Sequence, residues 1–317
     1  MKKVFLFIFT AFVLSALVIC GCYSMAASAE EYYSIGMAYY ELGNFREAEI
    51  WLNRARSADR TMVASAYNLG RIAYEMHRYE EAAKYFEDIL VRDPNNILAL
   101  KAAAYTRIKT NDFNIADRHY ARLLELVPES ADDGYNHALV LYAMERYGEA
   151  EKVLERYMFS LLENNDMQLL YARIQAAQNK VEALDSYTLW LNNNTDPKVR
   201  SEYAKTLEQH EFYARAIEEY RLAISETQPT DRQLRADIYF SLASVLFIAD
   251  GESSEGITEL QNAVNEGFND IEAVEKLLTN SSISTQNRDS IRNIINNMRR
   301  ALEGMPEEPE EESETDS

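Results

Sequence analysis

Ala48, Ala82, Ala116 and Ala150 stand 34 residues apart, and that period constrains the fold more than any other feature of the chain. The marks around each alanine repeat with it. Four residues on stands a large side chain (Leu52, Phe86, Tyr120, Leu154), and three before it an aromatic (Phe45, Tyr79, Phe113, Tyr147). Twelve before it stands a small residue (Gly36, Gly70, Ala104, Ala138), and Pro94 and Pro128 close the second and third periods. A period of about 20 to 50 residues is the signature of stacked supersecondary units. Two antiparallel helices cross closely only where side chains are small, and rings fill the space beside the crossing. Composition favours helices too: Gly 10 and Pro 6 in 317 residues are too few for turn-dense sheets or Gly-rich nucleotide loops.

The second unit carries the marks most fully, as Asn68-Leu69-Gly70, Tyr74, Tyr79, Ala82, Phe86 and Pro94, and it resembles the tetratricopeptide repeat (TPR). The resemblance implies an all-α fold, a right-handed α-solenoid of about seven helix-turn-helix units with a C-terminal capping helix. Ala183 and Ala216 continue the series at spacings of 33, with Tyr187 and Tyr220 four residues on and Pro229 closing a unit. A one-residue slip leaves the phase of the fifth unit open. After an insertion between Ser225 and Arg235, Ser244, Gly256, Leu260 and Ala263 occupy the matching slots of a last unit, so the array spans residues 29–268.

Residues 269–303 are expected to form the cap. Ile291, Ile294, Ile295, Met298 and Leu302 make one apolar stripe at helical spacing, Ser284 can cap that helix and Gly304 can end it. A repeat array needs such a helix to cover its last open face. Residues 304–317, with seven acids, two prolines and no base, are expected to be a disordered acidic tail.

Residues 1–22 read as an export signal. Lys2 and Lys3 precede Val4 to Ile19, a 16-residue apolar run broken only by Thr10 and Ser15. As a helix it would be roughly 24 Å long, short of the ~30 Å of a bilayer core, so a cleaved signal is expected over a permanent span. Ile19-Cys20-Gly21-Cys22 resembles a bacterial lipobox, which implies diacylation of Cys22 and a short tether over residues 23–28. Cys20 stands where Ala, Ser or Thr is usual, and Ile19 where Leu is usual. The alternative is ordinary cleavage after Ala27-Ser28-Ala29, giving a soluble periplasmic protein. The two cysteines lie here, so no intramolecular disulfide is expected in the mature chain.

Catalytic constellations are missing. His210-Glu211-Phe212-Tyr213-Ala214 begins like a zinc-protease motif but has Ala where the second ligand is needed one turn on. His77, His119, His137 and His210 are scattered among different units, and no Gly-rich phosphate loop or nucleophile elbow is present. No metal, cofactor or enzymatic activity is expected. A net charge of -20 argues against nucleic acid, whose affinity comes from Lys and Arg displacing counterions.

A binding surface remains. In TPR proteins the first helix of each unit lines a concave groove, which here implies Tyr33, Met37 and Tyr40 from the first unit and Tyr67, Arg71 and Glu75 from the second. Lys101 and Tyr105 come from the third, and Tyr135, Leu139 and Tyr142 from the fourth. Tyrosine is enriched in interfaces because it joins a large contact area to a polar end. The chain's 21 Tyr would also place several there as packing alone. The family's carboxylate clamp is missing, since the first unit offers Tyr33 and Met37 in place of Lys and Asn. The expected function is an exported, membrane-anchored scaffold of the bacterial envelope that binds another protein or peptide in this groove. Alternatives are a ligand-capture or solute-transport accessory, oligomeric in one form, and a purely structural spacer.

Overall fold

The computed structural model describes residues 28–303; the segment read as an export signal, Cys22 and the acidic residues 304–317 lie outside them. The described residues form seventeen helices and no strand. They divide into two compact units, with the boundary between Met144 and Glu145. The first unit holds α1 (Ala29–Glu41), α2 (Phe45–Ala58), α3 (Val63–Glu75), α4 (Tyr79–Arg92), α5 (Ile97–Lys109), α6 (Phe113–Leu126) and α7 (Ala131–Ala143). The second holds α8 (Tyr147–Glu155), α9 (Met158–Glu163), α10 (Asn165–Ala177), α11 (Ala183–Leu191), α12 (Pro197–Gln209), α13 (Tyr213–Glu226), α14 (Arg232–Ala249), α15 (Ser254–Glu266), α16 (Ile271–Leu277) and α17 (Thr285–Glu303). The helix-turn-helix series is the one the period predicts, in about seven pairs.

The small residues are contact points. A Cβ built on Gly36 would lie 2.8 Å from Leu52 Cγ, and one on Gly70 would lie 2.6 Å from Phe86 Cε1. Each partner is the large residue four places after the periodic alanine. Gly256 does the same against Phe247, again at 2.6 Å. Ala48, Ala82, Ala104 and Ala116 are fully buried around these crossings. The apolar clusters run from one pair into the next: Ala48 and Leu52 of α2 pack with Leu69 and Ile72 of α3, and Phe86 of α4 packs with Ala103 of α5. No pair could bury its core alone.

A second periodic device was hidden from sequence reading. Gly43, His77, Asn111, Glu145 and Asn179 follow one another at 34 residues, and all have positive φ, at 71°, 59°, 59°, 58° and 55°. Glu211, at 64°, continues them. Each sits just past the C-terminus of a first helix in a left-handed cap: the His77 N–H reaches the Tyr74 carbonyl at 2.9 Å and the Arg78 N–H the Ala73 carbonyl at 2.8 Å. Glycine is the default there, yet five of the six positions hold another residue.

The slip in the fifth unit is absorbed just past Asn179. The N–H groups of Ala183, Leu184 and Asp185 reach back only three residues, to Lys180, Val181 and Glu182, so a tight turn replaces the missing residue. The second helix of the fourth repeat is interrupted after Glu155 and resumes as α9. At the C-terminal end, Ile291, Ile294, Ile295 and Met298 of α17 bury against Phe247, Leu260 and Val274, whereas Leu302, the last of the stripe, is 67% exposed. Ser284 caps α17 by accepting from the Asn287 N–H at 3.3 Å. Asn287 Nδ2 donates to the Gly251 and Ser253 carbonyls, stitching α17 to the loop before α15.

These contacts make the glycines unequal. Gly70→Ala should lower the unfolding free energy by about 1–3 kcal/mol through overpacking against Phe86. Glu145→Gly should raise it by about 0.5–1 kcal/mol by relieving the left-handed residue. Urea denaturation at unchanged slope measures both; a neutral Gly70→Ala would contradict the close crossing.

Candidate partner-binding groove

The first helices of the first unit, α1, α3, α5 and α7, carry the eleven side chains assigned to the groove. Their neighbours decide what each can do. Tyr33 of α1 accepts from Asn68 Nδ2 of α3 at 3.1 Å, and Tyr40 accepts from Arg71 Nη2 at 2.7 Å, the guanidinium lying 4.7 Å from its ring centroid. Arg71 Nη1 also donates to Asn68 Oδ1, so Tyr33, Asn68, Arg71 and Tyr40 form one hydrogen-bonded chain between α1 and α3. Tyr33, Met37 and Tyr40 pack half-buried on the Ala48/Leu52 cluster. This end of the groove is a fixed surface with its polar groups satisfied by one another.

Between α5 and α7 the link is ionic. Lys101 Nζ stands 2.9 Å from Asp133 Oδ2, and Ser130 Oγ donates to the same carboxylate at 2.5 Å. The Asp133 side chain is 3% exposed, so these partners replace water around its carboxylate. Beside it, His137 Nε2 lies 2.7 Å from Asp117 Oδ1, and its ring stacks on Tyr120. Burial, with Asp133 next in effect, pushes the Tyr120 phenol well above its ordinary value. Tyr135, Leu139 and Tyr142 of α7 are half-buried.

The middle of the groove is different. Tyr105 of α5 is 45% exposed, its ring 5.7 Å from that of Tyr74 on α3, with Lys109 Nζ 5.6 Å from its centroid. Tyr74 in turn meets Tyr79 edge-on at 5.1 Å. Burial, then the neighbouring Tyr105 phenol, pushes the Tyr74 phenol up, so it stays a neutral donor at physiological pH. Leu98, two turns earlier on α5, is 60% exposed. An exposed ring with a cation beside it and an exposed aliphatic side chain two turns away on the same helix can take an apolar or aromatic side chain of an extended or helical segment.

Tyr67 is placed otherwise: its ring meets Phe86 at 5.5 Å and packs against Ala66, Ile89 and Ala99. It wedges the crossing of α3 and α4. Sequence reading picked the helical positions but not Tyr74, Asn68, Asp133 and Lys109, which fix how those positions are used. Tyr74 lies 31 residues before Tyr105, close to one period, which is the spacing at which neighbouring first helices meet.

Comparison with known proteins agrees with this construction. Residues 33–97 and 135–192 match the sequence model of the tetratricopeptide repeat family. These segments are tetratricopeptide repeats. Among solved structures, a tetratricopeptide repeat protein from Parabacteroides merdae aligns with 20% identity and a TM-score of 0.54, covering 78% of this chain and 97% of that one. A MamA RS-1 double mutant aligns with 15% identity and a TM-score of 0.50, covering 55% of this chain and 100% of that one. At these identities the likeness is one of fold. No curated protein sequence matches the chain.

The two central tyrosines should separate on truncation. Tyr67→Ala is expected to cost about 2–4 kcal/mol, as for a ring removed from a packed site, and Tyr105→Ala under about 1 kcal/mol, the worth of one exposed aromatic pair. Equal losses in chemical denaturation would mean that Tyr105 is core.

Proposed function

We propose that this chain is an exported, membrane-anchored TPR scaffold of the bacterial cell envelope that binds another envelope protein or peptide along α1, α3, α5 and α7. The observation that carries the reading is Tyr105. Its ring stands open on a first helix, while the polar groups around it are already engaged with one another. A partner would meet a preformed surface, which reduces the ordering cost of binding.

Anchoring through Cys22 draws support from the start of α1. Ser28 Oγ accepts from the Glu31 N–H at 3.2 Å while Glu31 Oε2 accepts from the Ser28 N–H at 2.8 Å, a reciprocal cap, and Ala29 is buried. Cleavage after Ala29 would remove that cap; processing at Cys22 keeps it. The six residues from Tyr23 to Ser28 span at most about 20 Å, so the first repeat would lie close to the bilayer, and a membrane-associated partner suits it.

Cys22→Ser should release the protein from the membrane fraction, and a variant that stays membrane-bound without detergent would sink the lipid assignment. In-cell crosslinking with affinity capture should recover a partner with the parent and lose most of it with Tyr105→Ala/Lys109→Ala, two exposed changes that spare the core. Equal capture by both would place the partner elsewhere.

A further inference from the structure

The Tyr74 and Tyr105 rings at the middle of the groove are a chemical unit as well as a surface. They lie on neighbouring first helices, α3 and α5, with centroids 5.7 Å apart and planes inclined at 38°. That separation is the contact distance of an aromatic pair. Their hydroxyl ends meet: after burial, the Tyr105 phenol is the main reason that the Tyr74 phenol holds its proton above the ordinary range. One ring of the pair is open to solvent, since Tyr105 is 45% exposed, and the other stands half-buried behind it.

Neighbouring tyrosines lack one of these features. Tyr79 is nearer to Tyr74, at 5.1 Å, but it meets that ring edge-on, and its hydroxyl is turned to His77 Nδ1 at 2.8 Å. Tyr187 and Tyr203 stand 6.0 Å apart, yet both are buried, and the Tyr203 oxygen accepts from Arg215 and Thr188. The Tyr33 and Tyr40 oxygens are held by Asn68 and Arg71. Two phenols join through the ring carbons beside their hydroxyls, so the rings must present those ends to each other, and one must be reachable by an oxidant. Tyr74 and Tyr105 meet both conditions.

We propose that Tyr74 and Tyr105 are an oxidative cross-linking site, at which hydrogen peroxide acting through a haem peroxidase joins the two rings as a dityrosine. Tyr105 loses an electron to the peroxidase and its phenol proton to water. The radical formed takes a hydrogen atom from Tyr74 where their hydroxyls meet, and a second oxidising equivalent makes the radical at Tyr105 again. An exposed side chain changes rotamer in picoseconds to nanoseconds, so Tyr105 has the freedom to bring its ortho carbon onto that of Tyr74. The two radicals couple carbon to carbon, and the ortho hydrogen of each ring then moves to its oxygen, restoring both phenols. In sum one carbon–carbon bond forms, two hydrogens leave the pair, and one hydrogen peroxide is reduced to two waters. The product is a covalent staple between adjacent repeats in a chain whose two cysteines, Cys20 and Cys22, lie outside the described residues. The chemistry is independent of any partner in the groove.

The purified full chain is treated with hydrogen peroxide and a haem peroxidase, and its tryptic peptides are weighed by mass spectrometry. Cleavage at Arg71, Arg78, Lys101 and Arg107 leaves Tyr74 as the single tyrosine of residues 72–78 and Tyr105 as that of residues 102–107. The expected product is the linked pair of these peptides, two hydrogens lighter than their sum, from a chain that still migrates as a monomer and with a yield unchanged on dilution. Tyr74→Phe and Tyr105→Phe should each abolish it, and Tyr79→Phe should leave it in place. All three variants keep the ring, so the packing around it is preserved. A linked peptide that contains Tyr79 in place of Tyr105, a yield that falls on dilution, or dityrosine fluorescence undiminished in Tyr105→Phe overturns the proposal. So does a treated chain in which both peptides stay unlinked.

Discussion

The close crossing of two helices at a position without a side chain is the contact on which the rest of this protein depends. Gly36 over Leu52 and Gly70 over Phe86 leave no room for a methyl group. Because the crossings are tight, the aromatics beside them have fixed places, and the next first helix must lie where its own large residues fill the remaining gap. Leu69 and Ile72 of α3 close the core begun by Ala48 and Leu52 of α2 in this way. The groove is a by-product of that stacking. Its side chains face outward at a register set by contacts on the opposite side of each helix.

The period was legible because the crossings demand particular residue sizes every 34 residues, and size is visible in a sequence. The left-handed caps were not, since packing enforces that conformation on His77, Asn111 and Glu145 without requiring glycine. Nor was the slip at Asn179, which became a tight turn. The groove was half legible. Helical geometry picks out the positions, but a tyrosine at such a position can wedge a crossing, as Tyr67 does against Phe86, close a hydrogen-bonded chain, as Tyr33 and Tyr40 do, or stand open, as Tyr105 does. Which of these occurs depends on residues one period away that no local pattern announces.

The acidic surface is more organised than composition implies. Arg78 reaches back to Glu49, Arg107 to Glu87, Arg173 forward to Glu202, and Arg200 is held by both Glu219 and Glu226. Each links neighbouring helices, so part of the basic complement sets the register of the stack, while the excess of acids over bases leaves the surface negative. Against that background the exposed ring of Tyr105 is a departure, and it lies in the first unit.

The central claim is that the partner lies along the first helices. The most direct measurement is site-specific photo-crosslinking in cells, with benzoyl-phenylalanine at position 105 on α5 and, in a separate strain, at position 122 on α6. The account predicts a discrete protein adduct from position 105 and none from position 122. An adduct from position 122 without one from position 105 would contradict it and move recognition to the second-helix face.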